Sequence, residues 1–375
     1  MVTGISMQNQ HKPVLIFAQS GRYLAQSATQ AGYRVWVADC FGDQDTLAIS
    51  ERWQSIPDIS TSSPEQILTV LSQLSGGEEC TLICGSGIES VYSMLNYLPS
   101  HIQLIGNAAK TIHTIKTPPL FFNMLAKLGV AYPETLFKLP VSNQENYIAK
   151  SSSGIGGTHI KTTKNALPLD HDYFQRLVIG LSGSALFSAN GEKAELISIN
   201  KQYLNPSNQS PFRLGSIETP WNIERKYQFQ LNTTINKITK EVGLLGLNSI
   251  DFILSQENEL LILEINPRPS ASMELSPIPL FQHHIDSSLG QPSTLNITHI
   301  KTLSSLRTVY AQKNVSVPST MKWPATCHDL PNVGTVIKQG SPICTTHVKA
   351  DNIDKLNKIH LSLEKEVLIQ LHVLK

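Results

Sequence analysis

Apolar residues recur along the chain in short runs separated by amphipathic stretches. Residues 12–18 (KPVLIFA) form a compact apolar run and 20–22 (SGR) a turn. Residues 23–32 (YLAQSATQAG) then carry apolar positions at helical spacing and stop at Gly32. A second strand-like run, 33–39 (YRVWVAD), ends on Asp39. A helix from Ser63-Pro64 to Leu74 and a strand at 81–85 (TLICG) continue the alternation. Strands alternating with helices of this length predict a parallel, doubly wound sheet, so residues 1–112 read as a Rossmann-like unit.

From about residue 113 the texture changes. The spacing predicts a helix over 115–129 (IKTPPLFFNMLAKLG), opened by a proline pair and closed by Gly129. Strands at 147–150, 196–199 and near 250 and 262 follow, with turn signals between them, and then a Pro- and Ser-rich stretch around Pro267, Pro269, Pro277 and Pro279. Residues 301–375 hold short β-like runs and a last helix over 352–370. The fold class expected is therefore α/β followed by α+β, ending in a small β-rich extension.

At 375 residues the chain exceeds what one core usually holds. Charged residues make up only 16% and hydrophobic residues 41%, which excludes a disordered or coiled-coil chain. The 30 Lys+Arg nearly cancel the 29 Asp+Glu and form no basic block, which argues against nucleic acid as a partner. No apolar run approaches the roughly 20 residues of a spanning helix, so no membrane is expected. Residues 1–12 are polar and carry no secretory signal. Five cysteines (Cys40, Cys80, Cys84, Cys327, Cys344), odd in number and mostly in strand-like runs, read as free thiols of a cytoplasmic protein. Two nucleotide fingerprints fail. The first turn carries the single glycine Gly21 where a dinucleotide site wants three, and GNAAKT (106–111) has Ala109 where a P-loop wants glycine.

The stretch NSIDFILSQENELLILEINPRP (248–269) reads as two apolar runs joined by a polar turn, a β-hairpin. By the strand period, Leu260, Ile262, Glu264 and Asn266 share one face. A four-residue loop over 256–259 pairs Ser255 with Leu260 and sets Asp251 across from Glu264. Two facing carboxylates plus the amide oxygen of Asn266 form a hard-oxygen cluster suited to Mg²⁺. The competing reading is a register slipped by one, with Asp251 on a solvent-facing strand. Arg268, fixed between two prolines, either clamps a carboxylate or phosphoryl group or forms an ion pair with Glu274. A strand ending in Lys150 leads into SSSGIGGT, where Gly154, Gly156 and Gly157 let backbone N–H groups turn toward an anion. Glu89 either binds a substrate ammonium or caps the helix that begins near Gly87.

A strand-borne lysine, a glycine-rich loop and, about a hundred residues later, a carboxylate-x-Asn on a hairpin strand together resemble the ATP-grasp superfamily. LICGSGIES (82–90), GLNSIDFIL, LEINPRPSASMEL and DLPNVGTVIKQGSPICT (329–345) are similar, more narrowly, to ATP-dependent carboligases related to biotin carboxylase. That group is associated with methanofuran and tetrahydromethanopterin biosynthesis. The resemblance implies a preceding α/β domain at 1–112, a two-lobed nucleotide clamp at 113–300 with its lid at about 130–180, and the extension at 301–375. It implies ATP and Mg²⁺, with Mn²⁺ as an alternative ion, and makes Asp251, Glu264 and Asn266 the metal ligands. Lys116 and Lys150 would reach the phosphates, together with Ser153 and the loop glycines. YFQRLVIG (173–180) resembles the inter-lobe strand that reads adenine, with Gln175, Arg176 and Val178 nearby.

The activity implied is a carboxylate activated as an acyl phosphate and joined to an amine, with Arg268 and Arg213 binding the acyl phosphate or the acceptor. Arg213 lies in the loop SPFRLGS, where a lone arginine is otherwise solvated. The partners would be a small-molecule carboxylate and an amine, on a chain whose size suits a homodimer. Rival readings are biotin-carboxylase-like carboxylation of a small acceptor and a non-catalytic ATP-binding regulator.

Overall fold

The computed structural model describes residues 12–151, 154, 156–163, 173–207, 210–292, 295 and 302–373. The apolar runs at the start become strands β1 (Val14–Phe17), β2 (Val35–Asp39), β3 (Arg52–Ser55), β4 (Cys80–Cys84) and β5 (Ile102–Ile105). They form a parallel sheet in the order β3-β2-β1-β4-β5. β1 and β2 are buried along their whole length, as uninterrupted apolar strands covered on both faces must be. Strand order reverses between β1 and β4, and the crevice beyond their carboxyl ends is where open α/β sheets receive ligands. The helix Pro64–Ser75, expected from Ser63-Pro64 on, starts at a capping box made by Ser63 and Gln66.

The helix expected over 115–129 is in fact two, Ala109–Lys116 and Pro118–Lys127. They break at Thr117, whose ψ of 104° is the extended value imposed on a residue before proline. The break leaves Lys116 at a helix end, free to aim away from the second helix.

Strands β6 (Thr135–Leu136), β7 (Tyr147–Lys150), β8 (Ile160–Thr162) and β9 (Tyr173–Arg176) form a small antiparallel sheet, β6-β9-β7-β8. Residues 177–179 lead from it into the central sheet. That sheet contains β10 (Gly180–Asn190), β11 (Ala194–Leu204), β12 (Leu214–Thr219), β13 (Leu245–Ser255), β14 (Leu260–Asn266) and β15 (Leu303–Tyr310). The C-terminal part adds a ribbon of β16 (Val315–Ser316) and β18 (Val336–Ile337), then β17 (Cys327–His328) and β19 (Pro342–Ala350). The central order is β14-β13-β10-β11-β12-β15-β19-β17, so β15, β19 and β17 prolong the central sheet, while β16 and β18 form a two-stranded sheet of their own. Among the described residues no helix is long and apolar enough to cross a membrane.

Two clusters position the site. One face of the central sheet packs Phe187, Phe252 and Ile262 against Ile235 of the helix Arg225–Val242. A second cluster joins Ile16 and Val37 of the parallel sheet to Leu186 and Leu247 of the central sheet and to Phe281. The parallel and central sheets therefore share a core. A buried charge network adds to this junction. Arg22, 3% exposed, donates from Nε and Nη2 to Asp329 (3.0 and 3.2 Å) and contacts Glu274 through Nη1. It thus ties the first helix to the turn after β14 and to the C-terminal part.

Replacing the buried Arg22 by Ala leaves two half-buried carboxylates without their shared cation, and is expected to cost about 3 kcal/mol. Denaturant unfolding, with the slope unchanged, is the check. Arg22→Lys should recover only part, because an ammonium cannot fork onto Asp329 while reaching Glu274.

Candidate functional site: a carboxylate pair facing two lysines

The hairpin β13–β14 brings Asp251 opposite Glu264, as the sequence suggests, but by a different path. β13 and β14 leave the expected four residues, 256–259, between them, but Ser255 does not pair with Leu260. Ser255 N–H donates to the Glu259 carbonyl (2.9 Å), and Asn258 takes the left-handed conformation (φ 62°). Pairing therefore starts one residue early, with Leu254 across from Leu260. A β-bulge between Phe252/Ile262 and Asp251/Glu264 absorbs Leu263 and restores the register. The bulge also changes which residues share a face. Leu260, Ile262 and Ile265 all enter the core cluster, as do Ile250 and Phe252. Glu264 and Asn266 thus project with Asp251 from the opposite face, and not on the side of Leu260 and Ile262.

Two amides hold Asp251. Gln202 Nε2 donates to Oδ1 (3.2 Å) while its own Oε1 accepts from Ser182 Oγ (2.8 Å), and Asn266 Nδ2 donates to Oδ2 (3.4 Å). Lys116 Nζ donates to Asn266 Oδ1 (3.1 Å) and lies 3.7 Å from Glu264 Oε2. Burial, and next the facing Glu264, push the Asp251 carboxyl up to about 8. Burial works the same way on Glu264, but Lys116 and Lys150 outweigh it and hold that carboxyl below its ordinary range. The two carboxyls are thus pushed in opposite directions, Asp251 up and Glu264 down.

Lys150 ends β7 and is 4% exposed. Its Nζ donates to Gln175 Oε1 (3.3 Å), and Gln175 Nε2 in turn donates to Thr135 Oγ1 (3.2 Å). Burial would lower this ammonium, but Tyr173, Glu264 and Asp251 outweigh it and raise it. Gln175 is thus a buried support for Lys150, while Arg176 is exposed and Val178 half-buried in the linker. Glycine is required in the loop that follows. At Gly157 (φ 75°) a Cβ would stand 2.1 Å from the Phe212 carbonyl oxygen, and at Gly154 it would overlap His159. Leu214 N–H donates to the Gly156 carbonyl (3.0 Å), which fastens this loop to β12. Ser153 lies outside the described residues. Between the small sheet and the carboxylate pair is a cleft of ≈ 430 Å³, open to solvent and lined by Lys116, Phe121, Gly154, His159, Tyr173 and Glu264.

Arg268 donates from Nε to Glu89 Oε1 (2.8 Å), both side chains largely buried. The expected alternative partner, Glu274, is taken by Arg22. Glu89 also accepts from the Gly87 N–H (2.9 Å), so it caps its helix and pairs with Arg268 together. Arg213 does not join the site as expected. Its guanidinium donates to the carbonyls of Asn205 and Gly340 (both 2.9 Å) and stacks 3.6 Å over the Tyr310 ring, which pins the β11–β12 loop to the C-terminal part. Gln202 was not singled out from sequence, because nothing local marks a glutamine on a neighbouring strand.

The donor set fits a hard divalent cation. Two carboxylates on paired strands and an amide oxygen face one side, and a cation there would offset both the burial and the facing Glu264 that push Asp251 up. The close glycine backbone and Lys150 fit a polyphosphate.

Residues 119–272 match the family model of the ATP-grasp domain. An uncharacterized protein of Methanocaldococcus jannaschii is 21% identical over 368 residues, covering 92% of this chain and 90% of that one. Among solved structures, the biotin carboxylase domain of Hydrogenobacter thermophilus 2-oxoglutarate carboxylase, in complex with MgADP, ADP and bicarbonate, aligns with a TM-score of 0.73. The two are 13% identical, over 94% of this chain and 89% of that one. N5-carboxyaminoimidazole ribonucleotide synthetase of Thermotoga maritima aligns at 0.65 and 15% identity, over 94% and 98%.

With Asp251 pushed above the usual carboxylate range, a cation and a proton compete for it. Metal affinity measured with ADP present should therefore fall about tenfold per unit as pH drops below about 8, and level off above. Asp251→Asn should flatten that profile, and a flat profile in the unmodified protein would contradict the assignment.

Proposed function

The chain belongs to the ATP-grasp superfamily, and on that premise we propose that it is a Mg²⁺-dependent ligase that activates a small carboxylate with ATP and joins it to an amine. The observation that carries this reading is the facing Asp251 and Glu264, with Asn266 and Lys116 on them, at a cleft lined by Lys116, Glu264 and Gly154, with Lys150 close enough to act on Glu264. Residues 113–300 form the clamp, and about 130–180 its lid over the phosphates. The small sheet, with Gly154, Gly156, Gly157 and Lys150, would cradle the polyphosphate, and the linker at 177–179, with Val178, would lie along the adenine.

In the first step an oxygen of the substrate carboxylate bonds to the γ-phosphorus as the bond to the β-bridging oxygen breaks, releasing ADP. The amine then bonds to the acyl carbon, phosphate leaves with the carboxylate oxygen, and the amine loses a proton. Such chemistry asks the protein for positioning and charge compensation. Lys150, held by Gln175, places its charge at the phosphates, and Lys116 can reach the same cleft. Arg268, beside the metal strand, would bind the acyl phosphate. Asp251, Glu264 and Asn266 would hold Mg²⁺, with Mn²⁺ as a substitute, and the ion would neutralise phosphate charge and set its orientation.

A second reading has a specific observation behind it. Both solved structures cited above are, by name, enzymes that handle bicarbonate or form a carboxyamino product. Bicarbonate as the activated acid, with a free amine as the acceptor, fits the same two steps. The narrower assignment to one-carbon carrier biosynthesis rests on the motif resemblance, from LICGSGIES to the C-terminal DLPNVGTVIKQGSPICT.

The test starts with calorimetric titration of Mg·ATP into the unmodified protein and Glu264→Gln. Binding weakened about tenfold or more in the variant, followed by ADP release that requires both an acid and an amine, is the expected result. Mg·ATP binding with no ADP release under any acid, bicarbonate included, would favour a non-catalytic regulator. ADP release with bicarbonate alone among the acids would select the carboxylating reading.

A further inference from the structure

Lys116 lies on the very oxygens assigned to the metal. Its Nζ is 3.1 Å from Asn266 Oδ1 and 3.7 Å from Glu264 Oε2. Those are oxygens that would hold a Mg²⁺ ion. An ammonium on the same atoms would stand close to that ion, where like charges repel strongly at a half-buried site. Lys150 differs, since its ammonium rests on Gln175 Oε1, outside the ligand oxygens. Lys116 is also placed to move. It closes the helix Ala109–Lys116, with Thr117 already extended behind it, so its ammonium can be redirected by side-chain torsions alone. A lysine is a compact charge on a flexible stem, suited to changing partners in a way a forked arginine is not.

We infer that Lys116 is a tethered competitor of the divalent cation: its ammonium holds Glu264 and Asn266 until a polyphosphate draws it away, so that metal and nucleotide enter as a pair. The inference rests on the Mg·ATP reading and adds to it. Nucleotide supplies Lys116 with a better anion, and the departing ammonium frees two oxygens for the metal. By thermodynamic reciprocity the metal must raise nucleotide affinity by the same factor. Lys116 is then a positioning residue whose effect shows in binding of the ion itself, without turnover.

The test is binding of Mn²⁺ alone to the full chain, read by the loss of its free-ion paramagnetic resonance signal, with and without ADP. The unmodified protein should bind Mn²⁺ weakly alone and much more tightly with ADP. Lys116→Met should tighten binding of the ion alone about tenfold and shrink the factor gained from ADP. Lys116→Gln should behave alike and guards against a folding defect in one variant. Lys116→Arg, which keeps the charge, should bind the bare ion as weakly as the unmodified protein. Normal Mn·ADP binding, with bare-ion affinity unchanged or weaker in the Met and Gln variants, would overturn this inference alone. Failure of the unmodified protein to bind Mn²⁺ even with ADP would sink the metal reading and the inference with it.

Discussion

Two carboxylates held face to face on neighbouring strands are a liability that the surrounding structure has to balance. Asp251 and Glu264 occupy one register position of β13 and β14, on the face turned away from the core. At such spacing like charges repel by several kcal/mol even at a moderate effective dielectric, about 4 kcal/mol at 4 Å. The balance comes from every side: Gln202 and Asn266 donate to Asp251, Lys116 reaches Glu264, and Lys150 acts from the adjoining sheet. What remains is an Asp251 carboxyl pushed above its ordinary range, by burial first and by Glu264 next. An arrangement this costly is out of place in a purely structural hairpin, where an apolar pair would serve the sheet better.

The groups that balance it come from four separate stretches of chain, and the fold explains their meeting. The proline pair at 118–119 breaks a helix so that Lys116 ends one segment, close to Asn266. The small sheet delivers Lys150 at the end of β7, where Tyr173 and Gln175 of β9 support it. The parallel sheet contributes Glu89 from just beyond β4, at the reversal of strand order, and it meets Arg268 two residues after β14. The shared core of Ile16, Leu186 and Leu247 fixes these contributions relative to one another, and the Arg22 network secures the turn that follows Arg268.

Much of this was legible in the sequence because it depends on local pattern. Parallel strands, the helix from Ser63-Pro64 on, the glycine-rich loop and the carboxylate-x-Asn strand all show in spacing alone. The opposition of Asp251 and Glu264 was legible too, though through two errors that cancel. Leu254 instead of Ser255 faces Leu260, which slips the pairing by one, and the bulge at Leu263 slips it back. Strand period alone cannot see a bulge, which is why Leu260 and Ile262 were expected on the wrong face. Long-range polar partners were not legible. Gln202, the Glu89–Arg268 pair and the seat of Arg213 on Tyr310 are set by which strands become neighbours, and no spacing along the chain encodes that.

Charge balance links the site to its reading. In and beside the cleft, Asp251, Glu264 and Glu89 are matched by Lys116, Lys150 and Arg268, closely enough that burial does not neutralise Glu89 or Glu264. A bare divalent ion would add positive charge beside Lys116, and a bare polyphosphate would add negative charge beside Glu264. Either alone disturbs a balanced set in a half-buried space. A nucleotide carrying its metal disturbs it least, because the phosphates receive the lysines and the metal receives the carboxylates. Each existing contact is exchanged for a stronger one of the same sign. The geometry around Asp251 and Glu264 is thus better matched to a metal–polyphosphate unit than to either component, which is the property a phosphoryl-transferring ligase needs at its first step.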